Sequence, residues 1–427
     1  MPDLTPELLP ALRSHRLPGL ELGGDLIYPD YEGRSLLNIP SSICRWLGAP
    51  TLGAKPLVPQ FTRTLENKYQ NVILILIDAL SLERLRTLVD AGSLPVWGKL
   101  AEKGILAPIT SITPSTTASA LTSLWTGTGA AEHGIVGYEI WMKEYGMVVN
   151  AILHAPIRFQ GDAGSLRKAG FDLETFIEPT LLGTHLTNHG IQVYAFQHHS
   201  ITRSGLSRML LQNVTVNPFH TQSDLWVNAR NVLENNPNGQ KYIWIYWGEV
   251  DYLSHNYGPD DERTISELVG FSTSFKDLFL DRLKPEIRRD TLLILMADHG
   301  QIKTQPDPHY DLRNHPNLVR RLHMMPTGEN RLAYLFLRPG QGEAAREYIE
   351  RTWPGQFSFL DPICAVESGL FGPGKLHSRL YDRLGDLIVV SKSEAFLWWS
   401  SKPDHLKGRH GGLSADEMLI PFLAAGL

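Results

Sequence analysis

The sequence predicts an α/β protein with a doubly wound, mostly parallel central sheet flanked by helices. Short apolar runs alternate with helical segments over most of the chain, as in strands that are joined by helical crossovers. Several runs are apolar at every position, which is typical of strands that helices cover on both faces. Three of these segments lead into an aspartate, so carboxylates are expected at the edge where such sheets bind ligands.

The composition argues against several other classes of protein. A formal net charge of -5 gives no basic surface for duplex nucleic acid. Cys44 and Cys364 are too few for a disulfide framework, which favours a reducing compartment. The first residues lack the apolar segment of a signal peptide, and no apolar run approaches the ~18 residues of a transmembrane helix. We therefore expect a cytoplasmic protein, of an oligomeric state that the sequence does not fix.

The order of elements predicts one catalytic domain, residues 71–427, preceded by an N-terminal extension, residues 1–70, that packs on it. Two segments interrupt the alternation: an aromatic, histidine-containing stretch at 139–230, expected to be a small cap insertion, and a polar insert at 303–329. The predicted strands are Val72–Ile77, Ile105–Ile112, Ile191–Phe196, Tyr242–Tyr246, Leu292–Met296, Arg331–Leu337 and Leu387–Val390. The predicted helices are Ser81–Ala91, Thr117–Trp125, Asp260–Arg282 and Glu343–Thr352.

Carboxylates and imidazoles follow the strands in a pattern that predicts a metal site. Asp251 and His255 are four residues apart, which places them on one helical face. Oxygen and imidazole ligands together suit zinc, with manganese and iron as alternatives. Two such ions ~4 Å apart hold both the attacking and the leaving oxygen of a phosphoryl displacement. The six candidate ligands are Asp78, Asp251, His255, Asp298, His299 and His410.

A cluster of hydroxyl groups supplies candidates for a nucleophile. Thr113, Ser115, Thr116 and Thr117 surround Pro114 just before an apolar helix. Backbone N–H groups at a helix N-terminus bind phosphate, and metal coordination is one way to activate a hydroxyl there. The position of the cluster alone leaves open which of the hydroxyls reacts.

In this order the motifs resemble those of the alkaline phosphatase superfamily, and within it the type I phosphodiesterase/nucleotide pyrophosphatase branch. The resemblance extends from Asn71 to about Leu423. It implies an alkaline phosphatase-like fold and hydrolysis through a covalent phospho-threonine. The matching motifs are the strand before Asp78, Pro114 with Thr117, Thr126-Gly127, His133-Gly134-Ile135, Tyr246 with Glu249, Asp251, His255 and Gly258-Pro259, then Asp298-His299-Gly300, and His410.

The resemblance also implies a role for each candidate residue. Thr117 would be the catalytic nucleophile and would itself bind one of two zinc ions. One zinc would be held by Asp251, His255 and His410, and the other by Asp78, Asp298 and His299, together with Thr117.

One position departs from the family pattern. The branch carries an asparagine after the His-Gly-Ile motif, where this chain has Tyr138, which we therefore expect to bind substrate through its hydroxyl. The only arginines between the first strand and Thr117 are Arg84 and Arg86, early in a helix. A diester, with less charge than a monoester, is therefore the expected substrate. A base or sugar could stack on the aromatic residues Tyr138, Trp141, Tyr145 and Phe159.

These observations predict a two-metal hydrolase of phosphodiester or pyrophosphate bonds in small molecules such as nucleotides. Two alternatives stay within the superfamily: a phosphomonoesterase or phosphonate hydrolase, and a phosphomutase-like transferase. A third is a catalytically silent sensor module, which would be expected to have lost a ligand. His198 and His199 are weaker candidates for lining the substrate cleft, and His309 and His315, in the polar insert, are weaker candidates for gating it.

Overall fold

The computed structural model describes residues 3–23, 25–65, 68–158, 162–236 and 238–427. Its strands are β1 (Asn71–Ile77), β2 (Ile105–Thr110), β3 (Glu139–Met142), β4 (Met147–Asn150), β5 (Ala155–Pro156), β6 (Gln192–His198), β7 (Thr215–Phe219), β8 (Lys241–Trp247), β9 (Thr291–Met296), β10 (Ile302–Lys303), β11 (Leu322–Glu329), β12 (Leu332–Leu337), β13 (Phe357–Leu360), β14 (Leu387–Ser391), β15 (Gly408–Arg409) and β16 (Leu419–Gly426).

The α-helices alternate with these strands, and short 3₁₀ turns occur between them. The helices are α1 (Thr5–Ser14), α2 (Ile39–Trp46), α3 (Leu82–Asp90), α4 (Pro95–Lys103), α5 (Thr117–Thr126), α6 (Ala130–His133), α7 (Leu182–Asn188), α8 (Gly205–Leu210), α9 (Gln222–Asn235), α10 (Glu249–Tyr257), α11 (Glu262–Leu278), α12 (Pro285–Arg289), α13 (Pro316–Val319), α14 (Gly342–Thr352), α15 (Pro362–Glu367), α16 (Leu380–Leu384) and α17 (Ala415–Met418).

The central sheet has seven strands in the order β2-β16-β9-β1-β8-β6-β7. Six of them run parallel, and β16 runs antiparallel between β2 and β9. Every residue of β1, β8 and β9 is buried, because helices cover both faces of the sheet. The prediction of a mostly parallel α/β sheet flanked by helices is confirmed.

A second seven-stranded sheet, in the order β13-β14-β12-β11-β3-β4-β5, is antiparallel throughout. Our expectation that Arg331–Leu337 and Leu387–Val390 extend the parallel sheet is therefore wrong. Strand β12 has hydrophobic cores on both sides, since Tyr334 packs into the main core and Leu335 into a second core. A strand buried on both faces is apolar throughout, whichever kind of sheet it joins.

The segment expected as a cap insertion, residues 139–230, is divided between the two sheets. Strands β3 to β5 join the antiparallel sheet, whereas β6 and β7 extend the central sheet. Strand β7 contains Pro218, and proline is tolerated there because β7 is an edge strand. Because of that proline and the surrounding polar residues, the sequence pattern did not predict β7 as a strand. The polar insert at 303–329 likewise ends in a strand of the antiparallel sheet, β11.

The described part of residues 1–70 lies against the central sheet. Asp3 and Ser35 form isolated bridges with residues of β2, and the buried apolar residues of the segment belong to the main core. The Tyr31 hydroxyl donates to the carbonyl of Leu370 at 2.9 Å and accepts the Thr113 N–H at 3.2 Å. The segment thus supports the turn that precedes α5. Among the described residues, no helix is both long and apolar enough to cross a membrane.

Candidate active site

Three neighbouring strands bring the three candidate aspartates to one edge of the central sheet. Strands β9, β1 and β8 are adjacent, and their register pairs Leu76 with both Met296 and Tyr246. Asp78 follows β1 directly and Asp298 follows β9, while Asp251 lies in the first turn of α10 after β8. Parallel strands end at the same level, so three separate segments converge on one site.

Gly300 allows a close backbone approach beside the candidate ligands Asp298 and His299. Gly300 has no positive φ; a Cβ atom there would lie 1.9 Å from the carbonyl oxygen of Asp416, so close backbone contact demands a glycine. The left-handed residue is instead Ala79, with φ 62°. Its N–H donates to Asp298 Oδ1 at 3.3 Å, which links the two strand ends.

All three candidate imidazoles are oriented in the same way. The Nδ1 atom of His255 lies 2.8 Å from the carbonyl oxygen of Gly408, that of His299 2.9 Å from Gly300, and that of His410 3.1 Å from Ser115. A carbonyl oxygen only accepts, so each Nδ1 carries a proton and Nε2 is the ring nitrogen that can bind a metal. This is the tautomer that a histidine ligand requires.

The free Nε2 atoms face the carboxylates. His299 Nε2 lies 3.4 Å from Asp78 Oδ1 and 3.6 Å from Asp298 Oδ2, and these three residues form one candidate metal group. A second group consists of Asp251, His299 and His410, with His410 Nε2 3.7 Å from Asp251 Oδ1. His255 lies outside both groups, although its Nε2 is 3.3 Å from Asp251 Oδ1. All six candidate ligands therefore lie together.

The electrostatics of the cluster fit a bound cation. Burial, and then the charges of Asp298 and Asp251, raise the pKa of Asp78, while burial and Asp251 raise that of Asp298 to about 7. Burial lowers the pKa of His410, as do His299 and His255. Asp78 Oδ1 and Asp298 Oδ2 are buried without a hydrogen-bond partner. Crowded, buried carboxylates beside a His410 ring whose positive form is disfavoured lack a positive charge, which a divalent cation would supply.

The predicted nucleophile lies against this cluster. Thr117 is the first residue of α5, and its Oγ1 is 3.3 Å from Asp78 Oδ2 and 3.2 Å from His299 Nε2. Ser115 holds the preceding turn to the loop that carries His410, since its Oγ donates to the carbonyl of Gly412 at 2.7 Å. Of the four candidate hydroxyls, Thr117 is the one in hydrogen-bond contact with candidate ligands.

Tyr138 is accessible, with 39% of its surface exposed. Its hydroxyl accepts a hydrogen bond from Asn150 Nδ2 at 2.6 Å. No hydrogen bond among the described residues uses that hydroxyl as a donor, so its proton is free for a ligand. Trp141 and Tyr145 pack partly buried against the main core, and Phe159 lies outside the described residues. Tyr138 is thus the exposed member of the aromatic group that we expected to stack on substrate.

Among the described residues, the contacts of the weaker histidine candidates join none of them to the six candidate ligands. His198 and His199 are at the end of β6, where their rings are 4.4 Å apart and His199 stacks on His220. His315 bonds to Tyr348 and to the carbonyl of His309, beside the second core.

Three further polar residues contact the site. Tyr246 donates its hydroxyl to Asp78 Oδ2, and Gln301 donates to Asp251 Oδ1 at 3.0 Å. Glu329 is a buried carboxyl whose Oε1 accepts the Tyr138 N–H at 2.7 Å. Tyr246 belongs to one of the motifs on which the family resemblance rests. Glu329 stands at the end of the expected polar insert, and nothing in its local pattern marks it.

Several solved structures share this fold. The murine ectonucleotide pyrophosphatase/phosphodiesterase 5 matches with a TM-score of 0.61 at 17% identity, over 84% of this chain and 88% of that one. An inactive form of that murine protein in complex with AMP matches with the same values. Phosphonoacetate hydrolase from Sinorhizobium meliloti 1021, in complex with phosphonoacetate, matches with a TM-score of 0.60 at 17% identity, over 83% and 90%.

At these identities the structural matches show the fold alone. No protein of curated function matches the sequence. The family itself is shown by the sequence profile of type I phosphodiesterases/nucleotide pyrophosphatases, which matches residues 72–413. That span contains all six candidate ligands and Thr117. The chain therefore belongs to the type I phosphodiesterase/nucleotide pyrophosphatase family of metal-dependent phosphoester hydrolases.

Proposed function

We propose that this chain hydrolyses phosphodiester or pyrophosphate bonds of small molecules through a covalent phospho-threonine at Thr117. The observation that carries the proposal is the position of Thr117 Oγ1 at the start of α5, within 3.3 Å of Asp78 Oδ2 and His299 Nε2. A hydroxyl among candidate metal ligands, at a helix N-terminus, combines a nucleophile with a site for phosphate.

We assign two divalent cations to the ligand cluster. Zinc is the preferred metal, and manganese is the alternative. Asp251, His255 and His410 would hold one, and Asp78, Asp298, His299 and Thr117 the other. When bound, such cations neutralise charge on the phosphoryl oxygens and lower the pKa of a coordinated hydroxyl. The backbone contacts of the imidazoles keep their Nε2 atoms directed at the carboxylates.

In the proposed reaction, Thr117 Oγ1 attacks phosphorus in line and displaces the leaving oxygen. The Tyr138 hydroxyl, which accepts a hydrogen bond from Asn150, donates a hydrogen bond to a phosphoryl oxygen and keeps its proton. Water then cleaves the phospho-threonine and restores the hydroxyl. The exposed position of Tyr138 leaves room for a second substituent on phosphorus, in keeping with a diester.

A panel of chromogenic esters tests this function. The purified protein is assayed with added zinc on bis(4-nitrophenyl) phosphate, thymidine 4-nitrophenyl phosphate and 4-nitrophenyl phosphate. We expect turnover of the diesters above that of the monoester. No turnover of any ester by zinc-loaded protein would contradict the proposal. Turnover of the monoester alone would identify a phosphomonoesterase, and transfer of the phosphoryl group to an added alcohol without hydrolysis would identify a transferase.

A further inference from the structure

The turn before α5, the segment that carries Tyr138 and the loop after His410 meet at Glu329, the last residue of β11. Its carboxyl accepts the Tyr138 N–H at 2.7 Å and lies close enough to the Thr116 side chain for that hydroxyl to lower the pKa of the carboxyl. Thr116 immediately precedes the proposed nucleophile. One buried side chain therefore joins the turn before α5 to the segment that carries Tyr138.

Close backbone contacts fix the place of this side chain. A Cβ atom at Gly411 would lie 2.4 Å from Glu329 Cβ, so the loop after His410 packs directly on the glutamate stem. A Cβ atom at Gly137 would lie 2.8 Å from the Cα of Gly328. Glycines at both contacts let the end of β11 approach the site, and the carboxyl then has little freedom to move.

The Thr116 hydroxyl does not cap the helix that it precedes. Thr116 is the N-cap of α5, yet its side chain makes no cap hydrogen bond. An N-cap threonine ordinarily accepts an N–H of the first helical turn. Among the described residues, the N–H groups of Thr117 and Ala118 donate to no side chain. Backbone N–H groups at such a position bind phosphoryl oxygens.

We propose that Glu329 is a positioning residue: its carboxyl holds the Thr116 hydroxyl away from the helix terminus and fixes the backbone of Tyr138. The first N–H groups of α5 thereby stay free for the oxygens of the transferred phosphoryl group. This inference rests on the proposed function and adds a residue to it.

The charge of Glu329 is not needed for this role. Burial raises its pKa to about 8, against hydrogen bonds from Thr116 and Tyr138 that lower it. A glutamine has the same shape and can make both contacts, since its carbonyl oxygen accepts from Tyr138 and its amide donates to Thr116. An alanine makes neither.

The test compares Glu329→Gln and Glu329→Ala with a matched control, Glu139→Ala. Glu139 is a partly buried glutamate on the paired strand β3, and its carboxyl accepts the Trp399 Nε1–H at 2.9 Å. Because small misplacements of a nucleophile cost ~10²-fold, we expect Glu329→Ala to lower kcat by about that factor with a smaller change in KM. Glu329→Gln and Glu139→Ala should stay within about tenfold of the wild type. In the Glu329→Ala background, Thr116→Ala should restore part of the lost kcat, because it removes the hydroxyl that would otherwise cap the N–H groups of α5.

Hydrogen–deuterium exchange of the metal-free proteins gives a readout that is independent of turnover. The Tyr138 N–H should exchange faster in Glu329→Ala, and at the wild-type rate in Glu329→Gln and Glu139→Ala. Unchanged exchange and kcat in Glu329→Ala, or an equal loss in Glu329→Gln, would overturn the inference. If the wild type turned over no phosphoester, the proposed function would fail, whereas the exchange rates would still decide whether Glu329 holds this segment.

Discussion

Removing Glu417 should weaken both the fold and the candidate metal site. Arg331 donates from Nε to Glu417 Oε1 at 2.7 Å and from Nη2 to Oε2 at 3.0 Å, and both side chains are fully buried. The same carboxylate accepts the N–H groups of Gly412 and Ser414 at 2.9 and 3.1 Å. One buried ion pair therefore anchors the loop that carries His410.

The magnitude follows from what Glu417→Ala leaves behind. Arg331 would stay buried without its partner, and removing one member of a buried pair costs about 3–5 kcal/mol. Two loop N–H groups would lose their acceptor as well. Urea denaturation should show a loss of that size in the free energy of unfolding. Displacement of His410 should also weaken zinc binding by roughly 10–100-fold, as loss of outer-shell support does in other metal sites.

Two further variants separate these effects. Asp416→Ala removes the adjacent exposed carboxylate and should change the free energy of unfolding by no more than about 0.5 kcal/mol. Replacing the pair by Arg331→Met with Glu417→Leu removes both buried charges, so stability should recover relative to Glu417→Ala. Zinc affinity should stay low, because the loop N–H groups still lack their acceptor. A loss below ~1 kcal/mol for Glu417→Ala, with unchanged zinc affinity, would refute the reasoning.

Three other predictions concern the nucleophile, the substrate and pH. Thr117→Ala should lower kcat by about 10⁴-fold or more and leave metal content mostly intact, whereas Thr117→Ser and Thr116→Ala should stay within about tenfold; an essential Thr116 would move the nucleophile by one residue. The kcat/KM for 4-nitrophenyl diesters should exceed that for the matched monoester by roughly 10²-fold, because the loss of one hydrogen-bond donor to an oxyanion lowers the rate by about that factor. A preference for the monoester would contradict this prediction. Burial lowers the pKa of His133 to about 3. The unfolded chain therefore binds one more proton at this residue between about pH 6.5 and pH 3, and the free energy of unfolding should fall as pH drops through that window, by up to ~1.4 kcal/mol per pH unit. A variant His133→Gln should show a shallower pH dependence in urea denaturation, and an unchanged slope would argue against a neutral His133.

The sequence predicted those parts of the site whose signal is local. Asp78 and Asp298 each follow an apolar strand, and the topology of a parallel sheet brings such positions together. Asp251 and His255 are joined by one turn of helix. The family resemblance then selected Thr117 among the neighbouring hydroxyls, and the contacts of Thr117 agree with that choice.

The remaining features depend on contacts between distant segments. Glu329 reaches the site only because the end of β11 packs against Gly137 and Gly411, and no periodicity encodes that approach. Strand β12 was predicted to be parallel because its sequence is apolar throughout, and it is apolar throughout because two separate cores bury its two faces. Strand β7 was hidden by Pro218, which an edge strand tolerates. Burial and pairing of this kind are decided by tertiary structure rather than by the local pattern.

The central claim is that six side chains from four segments form one site for two divalent cations. Elemental analysis of protein expressed with ample zinc measures this directly, with Asp298→Ala and His410→Ala prepared in parallel. The ligand set predicts about two zinc ions per wild-type chain and about one in each variant. Wild-type protein without bound metal, or variants that keep the full wild-type content, would contradict the account.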